Sequence, residues 1–308
     1  MTDLAARLLH LFATALARLP WRWLMRLGDG LAAWMLRRNT RESRVVRRNL
    51  ELTQPQLPAA ARDDLHQRIV RTTARQALET LRMWTRPHAE NLGLIRQSHG
   101  VDLFDAAIAA GRGVIVAAPH YGNWELLNQW LAAHTPLAIL YAPPESAVGD
   151  AFLRLVRADD AQAARVTQVR AEGPGVRQLF KLLKDGGVVG ILPDQQPKQG
   201  DGEFAPFFGV PALTMTLLGR LAHRTGAAVV FAWCERIDAH DDGPGFALHI
   251  EAAPPAVADA DPVVAVAALN QTVERIARRD PSQYQWTYKR YTLQPSGNWD
   301  DNPYKGIR

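Results

Sequence analysis

Apolar residues recur at helical spacing in the first third of the chain and then gather into short runs. Leu65, Ile69, Val70, Ala77, Leu78 and Leu81 predict one long helix over Ala59 to Trp84, which Pro87 stops. Beyond it, Val114 to Ala118, Leu137 to Tyr141, Val188 to Leu192, Ala227 to Trp233 and Phe246 to Ile250 read as buried strands separated by helix-like stretches. Such alternation predicts an α/β fold with a central, mostly parallel sheet flanked by helices, and places functional groups at the carboxyl ends of strands. Asp238 to Pro244 and Pro254 to Pro262 read as loops, and no repeat period is evident.

Residues 4 to 36 are rich in Leu, Ala and Trp, but Arg7, Arg18, Arg22 and Arg26 interrupt the run before the ~20 apolar residues that a membrane-spanning helix needs. Recurrent arginines also distinguish it from a cleavable signal peptide. Trp21, Trp23 and Trp34, followed by Arg37, Arg38, Arg41, Arg44, Arg47 and Arg48, predict amphipathic helices that rest on anionic lipid; the alternative is a helix pair packed on the domain with a solvated basic face.

Composition narrows the setting. The 308 residues are 47% hydrophobic and 22% charged, an ordinary globular balance, and the formal charge of +5 favours an anionic partner. Cys234 is the single cysteine, which excludes intramolecular disulfides and fits a reducing compartment. The sequence contains no serine-hydrolase elbow, no phosphate-binding P-loop and no dinucleotide fingerprint. We therefore expect no cofactor, no metal and no nucleic acid.

Chemistry concentrates in Pro119-His120-Tyr121-Gly122-Asn123-Trp124-Glu125, a turn that leads from a strand into a helix capped by Gly122 or Asn123. Glu125 falls in the first helical turn, where the helix dipole favours its ionised form, and a carboxylate there suits an imidazole that serves as general base. With nine histidines and 31 acidic residues, about one His-x4-acid pair is expected by chance, so spacing alone leaves open a satisfied loop histidine and an ordinary first-turn glutamate.

This segment resembles the signature of the bacterial lipid A biosynthesis acyltransferases, a branch of the glycerolipid acyltransferase-like fold. The resemblance extends to Arg48-Asn49-Leu50-Glu51-Leu52, Leu78-Glu79-Thr80, Leu192-Pro193-Asp194-Gln195-Gln196, Pro206-Phe207-Phe208-Gly209 and the stretch from Gln283 to Tyr291, in order and at compatible spacing. It implies that His120 takes a proton from an acceptor hydroxyl, that Glu125 orients His120, and that the oxygen attacks an acyl carrier protein thioester directly. Arg170, or alternatively Arg157 or a backbone amide, is expected at the oxyanion; Asp194 and Gln195 are expected to contact the acceptor or support His120. The implied enzyme is an acyltransferase at the cytoplasmic face of the bacterial inner membrane. Its donor is acyl carrier protein, its acceptor a lipid A precursor, and its surface partner anionic lipid. The sequence divides into an N-terminal membrane-associating segment, 1–50, and an acyltransferase domain, 51–308. Another lipid, glycolipid or aryl headgroup as acceptor, and a non-catalytic basic membrane module, stay open.

Overall fold

The structure, a computed structural model, describes residues 2–141, 146–158, 165–170, 172–240 and 243–307. Five helices come first: α1 (Thr2–Ala17), α2 (Trp21–Arg37), α3 (Arg41–Thr53), α4 (Ala59–Thr85) and α5 (His88–Leu92). Then follow β1 (Ile95–His99), α6 (Val101–Ala109), β2 (Val114–Ala117), α7 (Trp124–His134), β3 (Leu137–Tyr141), α8 (Ala147–Ala158), β4 (Val166–Arg170), α9 (Gly173–Lys184) and β5 (Val188–Ile191). A hairpin, β6 (Gly202–Phe207) and β7 (Val210–Met215), precedes α10 (Leu217–Thr225), β8 (Ala228–His240), β9 (Gly243–Ala252) and α11 (Pro262–Ala277).

Seven strands form one sheet in the order β1-β9-β8-β2-β5-β3-β4, in which only β8 and β9 run antiparallel. The short runs Val-Ile-Val-Ala in β2 and Val-Val-Gly-Ile in β5 are buried on both faces because helices cover both faces of the sheet. Alternate side chains serve alternate cores. Val114 and Val116 pack with Leu126 and Leu131 of α7, whereas Ile115 and Ala117 pack with Leu179 of α9 and Leu218 of α10.

The long predicted helix is α4, and the α/β fold with a mostly parallel sheet is the one observed. The expected loop from Asp238 to Pro244 is shorter: β8 runs to His240 and β9 starts at Gly243, with Ala239 paired to Pro244. This antiparallel pair continues beyond its parallel neighbours as a two-stranded ribbon, whose backbone pairing does not depend on apolar side chains.

At the N-terminus α2 lies on α4, and Gly28 lets Arg75 approach so closely that a Cβ would stand 2.9 Å from its Cγ. Arg75 in turn holds Asp29 through two hydrogen bonds of 2.7 and 2.8 Å. Helix α1 packs on α4 and α8 and leaves Leu4, Leu8, Leu11 and Phe12 exposed, as α2 leaves Trp23, Leu27 and Trp34. Among the described residues no helix is long and apolar enough to cross a membrane. The division expected at residue 50 falls inside α3, whose Asn49 donates to the carbonyls of Trp286 (2.7 Å) and Tyr288 (2.9 Å).

Candidate active site

Parallel neighbours end at the same edge of the sheet, so the residues that follow β2 and β5 meet there. Past β2, the Tyr121 amide donates back to the Pro119 carbonyl at 2.7 Å, and this tight turn projects His120 from the sheet. Gly122 then adopts φ 63°, and a Cβ at that position would lie 2.0 Å from the Cys234 carbonyl oxygen of β8, so only glycine fits. Asn123 starts α7: its side chain accepts from the Leu126 amide at 2.9 Å, and its own amide donates to Cys234 at 2.8 Å.

The turn is also held from the far end of the chain. The Gln285 amide donates to the His120 carbonyl and the Gly122 amide to the Gln283 carbonyl, each at 3.0 Å; Gln76 of α4 donates to the Gly122 carbonyl at 2.8 Å.

Past β5, Asp194 turns its buried carboxylate onto His120. Its Oδ2 accepts from the His120 backbone N–H at 2.9 Å, and its Oδ1 lies 2.8 Å from the ring Nδ1. A carboxylate only accepts, so Nδ1 carries a proton, and in the neutral form of the ring the lone pair is on Nε2. There the Gln195 side-chain amide stands 3.2 Å away as a donor, and it also donates to the Gln285 carbonyl oxygen at 3.3 Å. Burial alone would raise the Asp194 carboxyl, but the charge of His120, its two N–H groups and the Tyr284 hydroxyl outweigh that and hold it below the ordinary carboxylate range. Burial and the neighbouring Asp194 charge push the Tyr284 hydroxyl well above its usual value, so it stays a donor.

A second carboxylate secures the next residue. Tyr121 donates to Glu235 at 2.6 Å, and Glu235 also receives Arg279 (Nη2, 2.8 Å) and His249 (Nε2, 3.2 Å). Burial works against ionisation of Glu235, but hydrogen bonds from His249, Arg279 and Tyr121 bring it down to about 2.

His120 opens on a cleft of about 1980 Å³. Trp84, Ile139, Val156, Val166, Phe180 and Leu217 give much of the wall an apolar character, while Glu125 and Gln195 add polar groups on the His120 side. Trp124 stands edge-on to the imidazole with ring centroids 6.4 Å apart. This arrangement sets an imidazole nitrogen in the wall of a large, mostly apolar cleft, with an amide N–H beside it.

Residues 4–292 match the model of the bacterial lipid A biosynthesis acyltransferases. The chain belongs to this family. The lauroyltransferase of lipid A biosynthesis from Escherichia coli K12 is 27% identical over 284 residues, covering 91% of this chain and 89% of the relative. The palmitoleoyltransferase of the same organism is 27% identical over 291 residues, covering 91% and 88%. A phosphatidylinositol mannoside acyltransferase of Mycobacterium tuberculosis is 29% identical over 194 residues, covering 61% and 60%. The protein is, like these relatives, an acyltransferase.

In this member of the lipid A acyltransferase family, His120, Gln195 and Glu125 line the cleft, and Asp194 is buried against His120. The carboxylate on Nδ1 is Asp194, and Glu125, half-buried in the first turn of α7, forms part of the cleft wall. Arg170 ends the edge strand β4, three strand positions from β2 or roughly 14 Å at ~4.8 Å per strand, and it is exposed and does not line the cleft. The sheet order therefore separates Arg170 from His120. Arg157 is on α8, and its side chain lies outside the described residues. Tyr284 and Gln285 had no role in the sequence reading. Only the resemblance of the stretch from Gln283 to Tyr291 points to that region, because a partner about 165 positions from His120 leaves no local pattern.

Proposed function

We propose that this acyltransferase moves a fatty acyl chain from acyl carrier protein to a hydroxyl of a lipid A precursor at the cytoplasmic face of the bacterial inner membrane. The observation that carries the reading is His120 with Nδ1–H fixed on Asp194, at a cleft whose walls suit an acyl chain. Nε2 takes the acceptor hydroxyl's proton as its oxygen attacks the thioester carbonyl. The resulting oxyanion collapses with loss of the thiolate, which receives the proton back from the imidazolium. Asp194 stabilises that imidazolium, and the Gln195 amide is the N–H donor nearest the reacting nitrogen. No acyl-enzyme is needed.

Exposed Leu4, Leu8, Leu11, Phe12, Trp23 and Trp34, beside Arg7 and Arg26, support interfacial attachment to anionic lipid. A second reading keeps the chemistry but exchanges the acceptor for another glycolipid, favoured by the likeness to phosphatidylinositol mannoside acyltransferases over 194 residues. The deciding assay follows carrier thiol release and acylated product with lauroyl-loaded carrier protein and a purified lipid A precursor. Product from the wild type and its loss in a folded His120→Ala variant support the proposal. Transfer to a mannosylated phospholipid but not to the lipid A precursor selects the second reading, and no thiol release with any lipid hydroxyl defeats both.

A further inference from the structure

Helix α9 carries Arg177, Lys181 and Lys184 at steps of four and three residues, which stacks them along one side of the helix. Its neighbour α10 carries Arg220 and Arg224 one turn apart. Phe180 sits between the two sets, with the Arg224 guanidinium 5.4 Å and the Lys184 ammonium 6.0 Å from its ring centroid. All five cations are exposed, and among the described residues none is paired with a carboxylate. Several other surface arginines are paired, Arg47 with Asp63, Arg68 with Asp64, Arg275 with Glu251 and Arg278 with Glu274. Like charges four residues apart destabilise a helix, so the spacing of Arg177 with Lys181 and of Arg220 with Arg224 works against the helices that carry them.

Arg177, Phe180, Arg220 and Arg224 also line the cleft that holds His120, so the positive patch and the reaction site share one cleft. A single phosphate calls for donors that converge on one point. Here the charges are spread along two solvent-facing helices, a broad positive field that matches an acidic protein surface. The exposed apolar residues of α1 belong to a helix packed on α4 and α8, whereas α9 and α10 pack on each other, on β4 and β5, and on α11.

We infer that the α9–α10 cations form the docking surface for the acidic carrier protein that delivers the acyl thioester. The inference rests on the reading of acyl carrier protein as donor. Docking there leaves the prosthetic arm to enter the cleft beside Phe180, while the acceptor hydroxyl meets Nε2 of His120.

The test compares lauroyl-loaded carrier protein with the lauroyl thioester of N-acetylcysteamine, for the wild type and for the variant Lys181→Glu/Lys184→Glu, whose side chains belong to the patch but do not line the cleft. Direct titration with holo carrier protein gives a readout without chemistry. Docking predicts about a tenfold or greater fall in kcat/KM for the carrier-bound donor, carried by KM, with a matching rise in carrier Kd. The loss with the small thioester should stay within about twofold, and added salt should weaken carrier binding to the wild type far more than to the variant. Lysine-to-glutamine versions, checked by circular dichroism, should show a smaller loss of the same kind. Equal losses with both donors, or an unchanged carrier Kd, overturn the assignment. A rise confined to the acceptor's KM moves these cations to the acceptor's anionic groups. A wild type that uses the small thioester but never the carrier-bound donor defeats the donor reading itself, a result distinct from a variant that retains carrier docking.

Discussion

Both oxygens of Asp194 engage His120: Oδ1 lies 2.8 Å from the ring Nδ1, and Oδ2 receives the backbone N–H at 2.9 Å. Ring tautomer and backbone position are therefore set together by a single buried side chain.

Asp194→Asn should lower kcat by about 10²–10⁴ with little change in either KM, because an amide can no longer hold Nδ1–H and stabilise the imidazolium. Residues that act as a unit are not additive, so His120→Ala/Asp194→Asn should be no slower than His120→Ala alone. Steady-state kinetics on the three proteins check this.

Glu235 predicts an acid-linked loss of stability. Its pKa falls from 4.5 to about 2 on folding, so its contribution is fully present above about pH 4.5 and is lost as the pH drops toward 2. Urea melts from pH 7 to pH 2 should show wild type ahead of Glu235→Gln by about 1–3 kcal/mol at neutral pH. The gap should close on the acid side. A gap that persists undiminished at the acid end would contradict the linkage.

Gly122→Ala should destabilise the fold by roughly 1–3 kcal/mol and reduce turnover. The new methyl would have to displace the Cys234 carbonyl, which also accepts the Asn123 amide at the start of α7. Thermal melts and kcat, measured together, should fall in step.

Arg236 of β8 pairs with the fully buried Glu79 of α4. Arg236→Met alone strands that carboxylate and should cost about 3–5 kcal/mol, whereas Glu79→Leu/Arg236→Met should recover most of the loss. Equilibrium unfolding of the two variants distinguishes a needed pair from a dispensable one.

Replacing Leu8, Leu11 and Phe12 by Ser should weaken partition onto anionic vesicles by at least about tenfold, since each buried apolar side chain contributes roughly 1.5–3 kcal/mol. Vesicle sedimentation checks it, and undiminished binding would remove α1 from the proposed lipid surface.

Where burial dictated residue type, the fold was legible. Strand β3 coincides with the run Leu137 to Tyr141, and β2 and β5 end one residue before their predicted ends. Edge strand β1, Ile-Arg-Gln-Ser-His, escapes such reading because four of its five residues are exposed. The β6–β7 hairpin escapes for another reason. Pro206 pairs with Pro211 in a separate two-stranded sheet, where a missing N–H is tolerated, and prolines there resemble loop residues. In the site, the Asn123 cap and the first-turn position of Glu125 follow from local chemistry. The Asp194–His120 bond does not, because it depends on β5 lying beside β2 and joins residues 74 positions apart.

The contact between Gln285 and the His120 carbonyl also sets a clock for biogenesis. A ribosome reaches His120 early but must add about 165 more residues before the segment that closes the turn exists, roughly 10–30 s at bacterial translation speeds. During that interval the N-terminal helices have already emerged and are free to find a bilayer. The helices of the proposed lipid surface are thus made before the turn that carries His120 can close, and an interrupted synthesis leaves that turn without its C-terminal support.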